Sequence, residues 1–279
     1  MSYRTILVEV DDSEAGKARA AMAVATAARF KASITGVFLK TVIIPAFMIG
    51  DGFAITPGDV IQQYLDDRGK ETTKTSAALR VMFEALARGA DCPCSWLDVN
   101  GDSEDELIAC ARRHDLSILP ATMKAALGSS TLSAARVGMA SGAPMLIAPK
   151  ALAPNWGGRR VLVAWKEARE PARVLNDAWP FLTEATEVTF LTVSKNAPGA
   201  LDTMLQRQLK AHGCKPAQLI VAAEEDLSAA DVIRYQIART GADLAVLGLF
   251  GHSRLQEFVL GGVSRNLLAD APVPMLVSH

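Results

Sequence analysis

Short apolar runs alternate along this chain with longer stretches whose apolar residues recur at helical spacing, the pattern of strands and helices taking turns. Thr5–Val10 is a run suited to a buried strand, and Ser13 is placed to cap a helix running to about Phe30. Ser33–Leu39 reads as a second strand. Leu79, Met82, Phe83 and Leu86 fall on one face of a helix ending near Gly89. Ser95–Val99 is a third strand, and Ser103 and Glu106 have capping-box spacing for a helix carrying Leu107, Ile108 and Ala111. Leu116–Leu119 and Met145–Ala148 complete five strands. The second half repeats the order with Val161–Trp165, Val188–Val193, Leu219–Ala222, Leu244–Leu247 and Met275–Ser278. Leu201, Met204, Leu205 and Leu209 mark one intervening helix. Ser228 opens the next, which Gly241 can close, and Val263–Ala269 is helix-like.

The repetition extends to the residues themselves. Arg4-Thr-Ile-Leu-Val-Glu-Val10 resembles Arg159-Arg-Val-Leu-Val-Ala-Trp165, and His114-Asp-Leu-Ser-Ile-Leu119 resembles Ala242-Asp-Leu-Ala-Val-Leu247. Both halves also end alike, Ala143-Pro-Met-Leu-Ile147 against Val273-Pro-Met-Leu-Val277. Between them Pro149–Gly158 has the prolines and glycines of a linker. Two domains of similar fold are expected, residues 1–150 and 158–279. Strands alternating with helices imply parallel sheets with right-handed crossovers. The halves differ most between about Thr41 and Thr75, a stretch long for a loop and rich in apolar residues from Ile43 to Ile55. Those residues need cover. Packing against the other half or another chain is the favoured reading, with a lid over a pocket as the alternative.

Composition narrows the class. Half of the residues are apolar, enough for a large core, and the formal net charge is −1, which argues against non-specific nucleic-acid binding. Four cysteines are too few for a disulfide scaffold, and Cys92-Pro-Cys94 lacks a second ligand pair, so no metal site is expected. The opening residues MSYRTILVEVDD run straight into a charged strand end without the shape of a signal peptide. No apolar run is long enough to span a bilayer. A cytoplasmic protein without nucleic-acid or membrane partners is the expectation.

Chemistry gathers in one stretch, Gly248 to Ser264. It follows the strand Asp243–Leu247 and leads into the helix-like segment at Val263. Gly248 and Gly251 sit at the strand's end, and Gly261 and Gly262 sit before the helix. Glycines let backbone N–H groups approach a ligand, and a helix N-terminus adds unpaired donors that favour anions. Together they form a candidate phosphate cradle at the carboxyl edge of a parallel sheet. The competing reading is that the glycines only turn the chain. His252 lies in the same loop, within reach of a phosphate or facing solvent.

With these repeats and this glycine spacing, the chain resembles tandem universal stress proteins, in which two such domains are fused. The resemblance implies two doubly wound, Rossmann-like α/β domains, each a five-stranded parallel sheet in the order 3-2-1-4-5 flanked by helices. Members that bind ATP carry a glycine, two residues, a glycine, nine residues and a glycine, then Ser or Thr. Gly248, Gly251 and Gly261 match that spacing. Gly262 replaces the hydroxyl residue, and Ser264 offers a hydroxyl two positions on. An Asp usually ends the family's first strand and contacts the nucleotide. Asp11 stands there in the first half, and Lys166 in the second. The glycine motif shows the opposite asymmetry, since Pro120 stands where Gly248 would. Asp11 has a competing reading as a turn or helix-cap residue. The resemblance further implies that the final strands meet about a twofold axis, which a tandem chain can satisfy as an intramolecular pseudo-dimer. Whether the whole chain forms a homodimer stays open.

No catalytic constellation accompanies these residues. His114, His212, His252 and His279 are scattered, and no G-x-x-x-x-G-K-[ST] motif occurs. Three readings stand: a non-enzymatic stress-response protein whose second half binds ATP as a regulatory ligand, an interaction protein without a physiological nucleotide, and, behind both, a slow ATPase. The candidate ligand residues are Lys166, Gly248, Gly251, His252, Gly261, Gly262 and Ser264, with no metal.

Overall fold

The structure, a computed structural model, describes residues 2–41, 58–101, 104–124, 131–153, 155–193, 199–222, 228–249 and 267–279. The first half contains β1 (Thr5–Glu9), α1 (Glu14–Phe30), β2 (Ser33–Lys40), α2 (Gly58–Gly89), β3 (Cys94–Asn100), α3 (Glu104–Ala111) and β4 (Leu116–Pro120). A short antiparallel pair, β5 (Thr122–Lys124) and β6 (Thr131–Ser133), then leads to α4 (Ala134–Ser141) and β7 (Met145–Ala148). The second half contains β8 (Arg160–Ala164), α5 (Arg169–Glu184), β9 (Glu187–Val193), α6 (Thr203–Ala211), β10 (Gln218–Ala222), α7 (Ala229–Thr240), β11 (Leu244–Gly248) and β12 (Met275–Ser278).

Within each half the five main strands are parallel, β3-β2-β1-β4-β7 and β10-β9-β8-β11-β12. Both follow the order 3-2-1-4-5, so the doubly wound expectation holds. The two sheets are continuous. β7 pairs antiparallel with β12, Leu146 opposite Leu276, and joins them into one ten-stranded sheet. Alternate strand residues feed two core layers. Ile6, Val8, Leu146, Val163, Val246 and Leu276 face one side, under α1, α2 and α5. Leu7, Met145, Ile147, Leu162, Leu247 and Val277 face the other, under α3, α4 and α7. Each layer contains residues of both halves.

The repeated Asp of the two halves has the same task in each. Asp115 accepts the backbone N–H groups of Arg4 (2.7 Å) and Thr5 (3.0 Å), and Asp243 those of Arg160 (2.7 Å) and Arg159 (3.1 Å). Each carboxylate thus ties the start of the fourth strand to the start of the first. The capping expectations at Ser13, Ser228 and Gly241 also hold, while Ser103 lies outside the described residues. The Ser13 hydroxyl accepts from the Gly16 N–H at 3.0 Å, the Ser228 hydroxyl from the Asp231 N–H at 3.3 Å, and Gly241 closes α7 in the left-handed region.

One expectation is corrected. The stretch Thr41–Thr75 is not a loop throughout, because α2 begins at Gly58. Its first turns carry only a short apolar stripe, Val60, Ile61, Tyr64 and Leu65. They are laced as well by Gln62–Asp66, Arg68–Glu71 and Lys70–Asp67 pairs three or four residues apart. The apolar residues Ile43 to Ile55 lie outside the described residues.

An aromatic cluster reinforces the junction of the halves. Phe181 of α5 packs edge-on against Phe30 of α1 with ring centroids 5.1 Å apart, and against Tyr3 at 5.8 Å. Arg29 lies over both phenylalanine rings and pairs with Glu184 at 2.7 Å. Tyr3 donates to the Asp177 carbonyl, and Ser278 on β12 donates to the Asp177 carboxylate at 2.6 Å. Phe181→Ala would empty a fully buried site at this junction. It is expected to cost about 3–5 kcal/mol and to speed amide exchange in β1 as well as in α5. Hydrogen exchange would read both, and loss confined to the second half would show that the halves are not energetically coupled.

Candidate functional site

In each half the chain leaves the first strand in one direction and returns on its other side for the fourth. The strand order therefore reverses between β1 and β4, and again between β8 and β11. The carboxyl ends of those strands flank the crevice where open α/β sheets receive ligands.

On the second-half edge, Leu247 pairs with Ala164, so Gly248 and Lys166 come to neighbouring strand ends although 81 residues separate Leu247 from Lys166 in sequence (247 − 166). Lys166 is exposed. Gly248 has a packing reason to be glycine. A Cβ there would lie 2.6 Å from the Glu170 carbonyl carbon and 2.7 Å from the Pro171 nitrogen, so the first turn of α5 fills the space. Gly251, His252, Gly261, Gly262 and Ser264 lie outside the described residues. Of the seven candidates, the structure thus brings Gly248 and Lys166 to one edge.

The first-half edge opens into a cavity of about 790 Å³. Its polar wall holds residues that the sequence reading passed over. Arg19 on α1 is 2 % exposed and Glu9 at the end of β1 is 4 % exposed. Arg19 donates through Nε to the Glu9 carbonyl at 2.8 Å, and through Nη2 to the Glu9 carboxylate and to Asp11 at 2.8 Å. Asp11 also accepts the Ser13 N–H at 2.8 Å, closing a turn into α1. Gly16 permits this fit, since a Cβ there would meet Asp11 Oδ1 at 2.3 Å. Asp11 is therefore engaged as a turn residue and an Arg19 partner while still lining the cavity.

Environment divides the two acids. Burial, helped by the nearby Asp11 charge, raises Glu9 from 4.5 to about 7 despite Arg19. Burial also acts to raise Asp11, but the hydrogen bonds from Ser13 and Arg19 outweigh it and hold that carboxyl below its usual value. The repeat places Ala164 opposite Glu9, Lys166 opposite Asp11 and Val174 opposite Arg19. Val174 is fully buried. The second half is apolar where the first carries its ion pair. The signal for Arg19 was present in the sequence, as a charge on the Ala- and Met-rich stripe of α1, but an alanine-rich stripe is narrow and tolerates one polar member without losing its pattern.

After Pro120 the first half forms the β5–β6 pair where the second carries its glycine stretch. Thr122 opposes Ser133, and the Ala134 N–H returns to the Ala121 carbonyl at 3.1 Å. The four cysteines are free thiols, and no group of three or more His, Cys, Asp or Glu side chains able to hold a metal ion occurs among the described residues. Among those residues no helix is long and apolar enough to cross a membrane.

Residues 158–279 match the Universal stress protein family. Among solved structures, a universal stress protein from Archaeoglobus fulgidus DSM 4304 has the same fold, with TM-score 0.70 at 16% identity over 98% of this chain and 97% of that one. A putative universal stress protein from Pseudomonas aeruginosa UCBPP-PA14 aligns with TM-score 0.59 at 14% identity over 99% and 93% of the two chains. A functionally unknown protein from Pseudomonas aeruginosa PAO1 aligns with TM-score 0.60 at 15% identity over 99% and 92%. At these identities the likeness is one of fold, and it spans both halves. No curated protein matches the chain in sequence.

Two outcomes follow from this geometry. Because the folded state raises the Glu9 pKa from 4.5 to about 7, it holds that proton more tightly than the unfolded chain. The stability so contributed is full below about pH 4.5 and is lost as pH rises through about 7. Glu9→Gln is permanently neutral, so the stability of the native protein minus that of the variant should fall by roughly 1–3 kcal/mol between about pH 4.5 and pH 8. Denaturant titrations across that range read it, and a difference independent of pH would contradict the assignment. Separately, Gly248→Ala should destabilise by about 1–3 kcal/mol through overpacking against α5, measurable by denaturation without any ligand.

Proposed function

Because residues 158–279 belong to the universal stress protein family and the first half repeats their fold, we propose that this chain is a non-enzymatic, cytoplasmic stress-response protein. Residues 1–150 and 158–279 are its two domains, and the second binds an adenine nucleotide, ATP, as a regulatory ligand. The observation that carries this reading is that β8, which Lys166 follows, and β11, which ends at Gly248, are neighbours at the crevice where the strand order reverses. The start of the Gly248–Gly251–Gly261 spacing and a lysine thus belong to one strand edge. Lys166 stands in for the family's acid at the end of the first strand, so the site reads charge more than base. Gly251, His252, Gly261, Gly262 and Ser264 complete the proposed phosphate cradle.

A second reading keeps the stress-response role without a nucleotide. It is favoured by the packing of α5 into the space at Gly248, which gives that glycine a purpose without a ligand. Calorimetry with ATP separates the two. Gly251→Val and Gly261→Val should each weaken binding at least about tenfold, or 1.4 kcal/mol, whereas Ala121→Val in the first half should not. Lys166→Asp should weaken binding and flatten its dependence on salt. No binding by the unmodified protein, and no nucleotide in its mass spectrum as purified, would leave the second reading.

A further inference from the structure

The first-half cavity is not a copy of the proposed phosphate site, and its chemistry is opposite in sign. Its described lining carries four acids, Glu9, Asp11, Asp12 and Glu71, against two cations, Arg19 and Arg68. Both cations already hold acid partners. Arg19 is buried and spent on Glu9 and Asp11, and Arg68 pairs with Glu71 at 2.5 Å. Arg19 engages Glu9 through Oε2, and the Glu9 side chain, nearly all buried, lines the cavity. A buried carboxyl at the cavity wall offers an acceptor to a donor brought in from outside. Asp12, exposed at the mouth, adds a second negative charge. The lining also includes the apolar residues Phe38, Leu39, Pro120 and Met123, so the space combines apolar surface with a few acceptors. Its volume of about 790 Å³ lies in the range of pockets for small organic molecules.

We infer that the first half binds a small organic ammonium ion in this cavity, its cationic nitrogen directed to Glu9 and its apolar body against Phe38 and Met123. The site excludes phosphorylated ligands. The chain would then join two sensing edges of opposite charge preference, one in each half. The inference does not depend on whether the second half binds a nucleotide. The groups of known charge that face Glu9 are Arg19 from α1 and Asp11 beyond β1. Ser13 and Arg19 hold the Asp11 carboxyl below its usual value, so the charge at the cavity floor changes through Glu9 itself.

Three molecules with one indole body and different charge test it on the full chain: tryptamine, tryptophol and indole-3-propionate. Calorimetry should show tryptamine binding at least about tenfold more tightly than neutral tryptophol, with no detectable binding of the anion. Tryptamine affinity should rise several-fold from about pH 6 to pH 8 as Glu9 loses its proton. Glu9→Gln should remove that pH dependence and most of the preference for the cation. Should that variant fold poorly by circular dichroism, Asp12→Asn at the exposed mouth should still lower tryptamine affinity two- to fivefold while leaving tryptophol unchanged. Failure of tryptamine to bind, equal binding of the three probes, or a preference for the cation untouched by both substitutions would overturn the inference. ATP binding by the second half should be the same in both variants, so a failed nucleotide reading is told apart from a failed reading of this cavity.

Discussion

The antiparallel pairing of two four-residue strands, Met145–Ala148 and Met275–Ser278, is the constraint on which the rest of this molecule depends. Both are apolar, and each would be the open edge of a five-stranded sheet if its half stood alone. Unpaired edges of that kind recruit other chains. Here each edge caps the other, and the pairing makes one sheet of two. Everything that crosses the junction follows from it. Phe181 reaches Phe30 and Tyr3, Arg29 reaches Glu184, and the core layers above and below the sheet run through both halves without a break. Among the described residues the joined sheet ends at β3 and β10.

A shared scaffold has let the two halves diverge at equivalent places. The carboxylates of Asp115 and Asp243 make the same strand-tying contacts in both, so the backbone beneath each site edge is the same. What stands on it differs. The first half buries an arginine between two acids and turns Asp11 inward against Gly16. The second replaces Glu9 and Arg19 by Ala164 and Val174, and Asp11 by Lys166. A buried ion pair is costly to desolvate and is weak evidence for stability. Its retention beside a cavity fits a role in shaping that cavity's charge better than a role in holding the fold.

Much of the fold was legible in the sequence, and the reasons are local. The inner strands show as short β-rich apolar runs because both faces of a parallel sheet are covered there, whereas the end strands β3 and β10 are more exposed. Ser13, Ser228 and Gly241 announce helix ends because their cap geometry is set within three or four residues. The internal repeat gives the order of strands in one half once it is known in the other. The start of α2 was less legible, since its short apolar stripe, Val60, Ile61, Tyr64 and Leu65, gives way to an exposed run of charged pairs.

The site divides along the same line. The sequence by itself determined that glycines cluster after the fourth strand of the second half, that Asp11 and Lys166 follow the two first strands, and that the four histidines are scattered along the chain. Only the tertiary structure decided what those residues meet. Gly248 is hemmed in by Glu170 and Pro171, more than 70 residues earlier (248 − 171 = 77), and no spacing rule could announce that contact. Glu9 and Arg19 become a buried pair because the turn at Asp11 folds α1 back over the end of β1. The partnership of β7 with β12 joins residues some 130 positions apart, Met145 opposite Val277 (277 − 145 = 132). An apolar run states that a strand must be covered. Which strand covers it depends on the path of the whole chain, because hydrophobic burial is non-directional and one apolar edge fits many partners equally well.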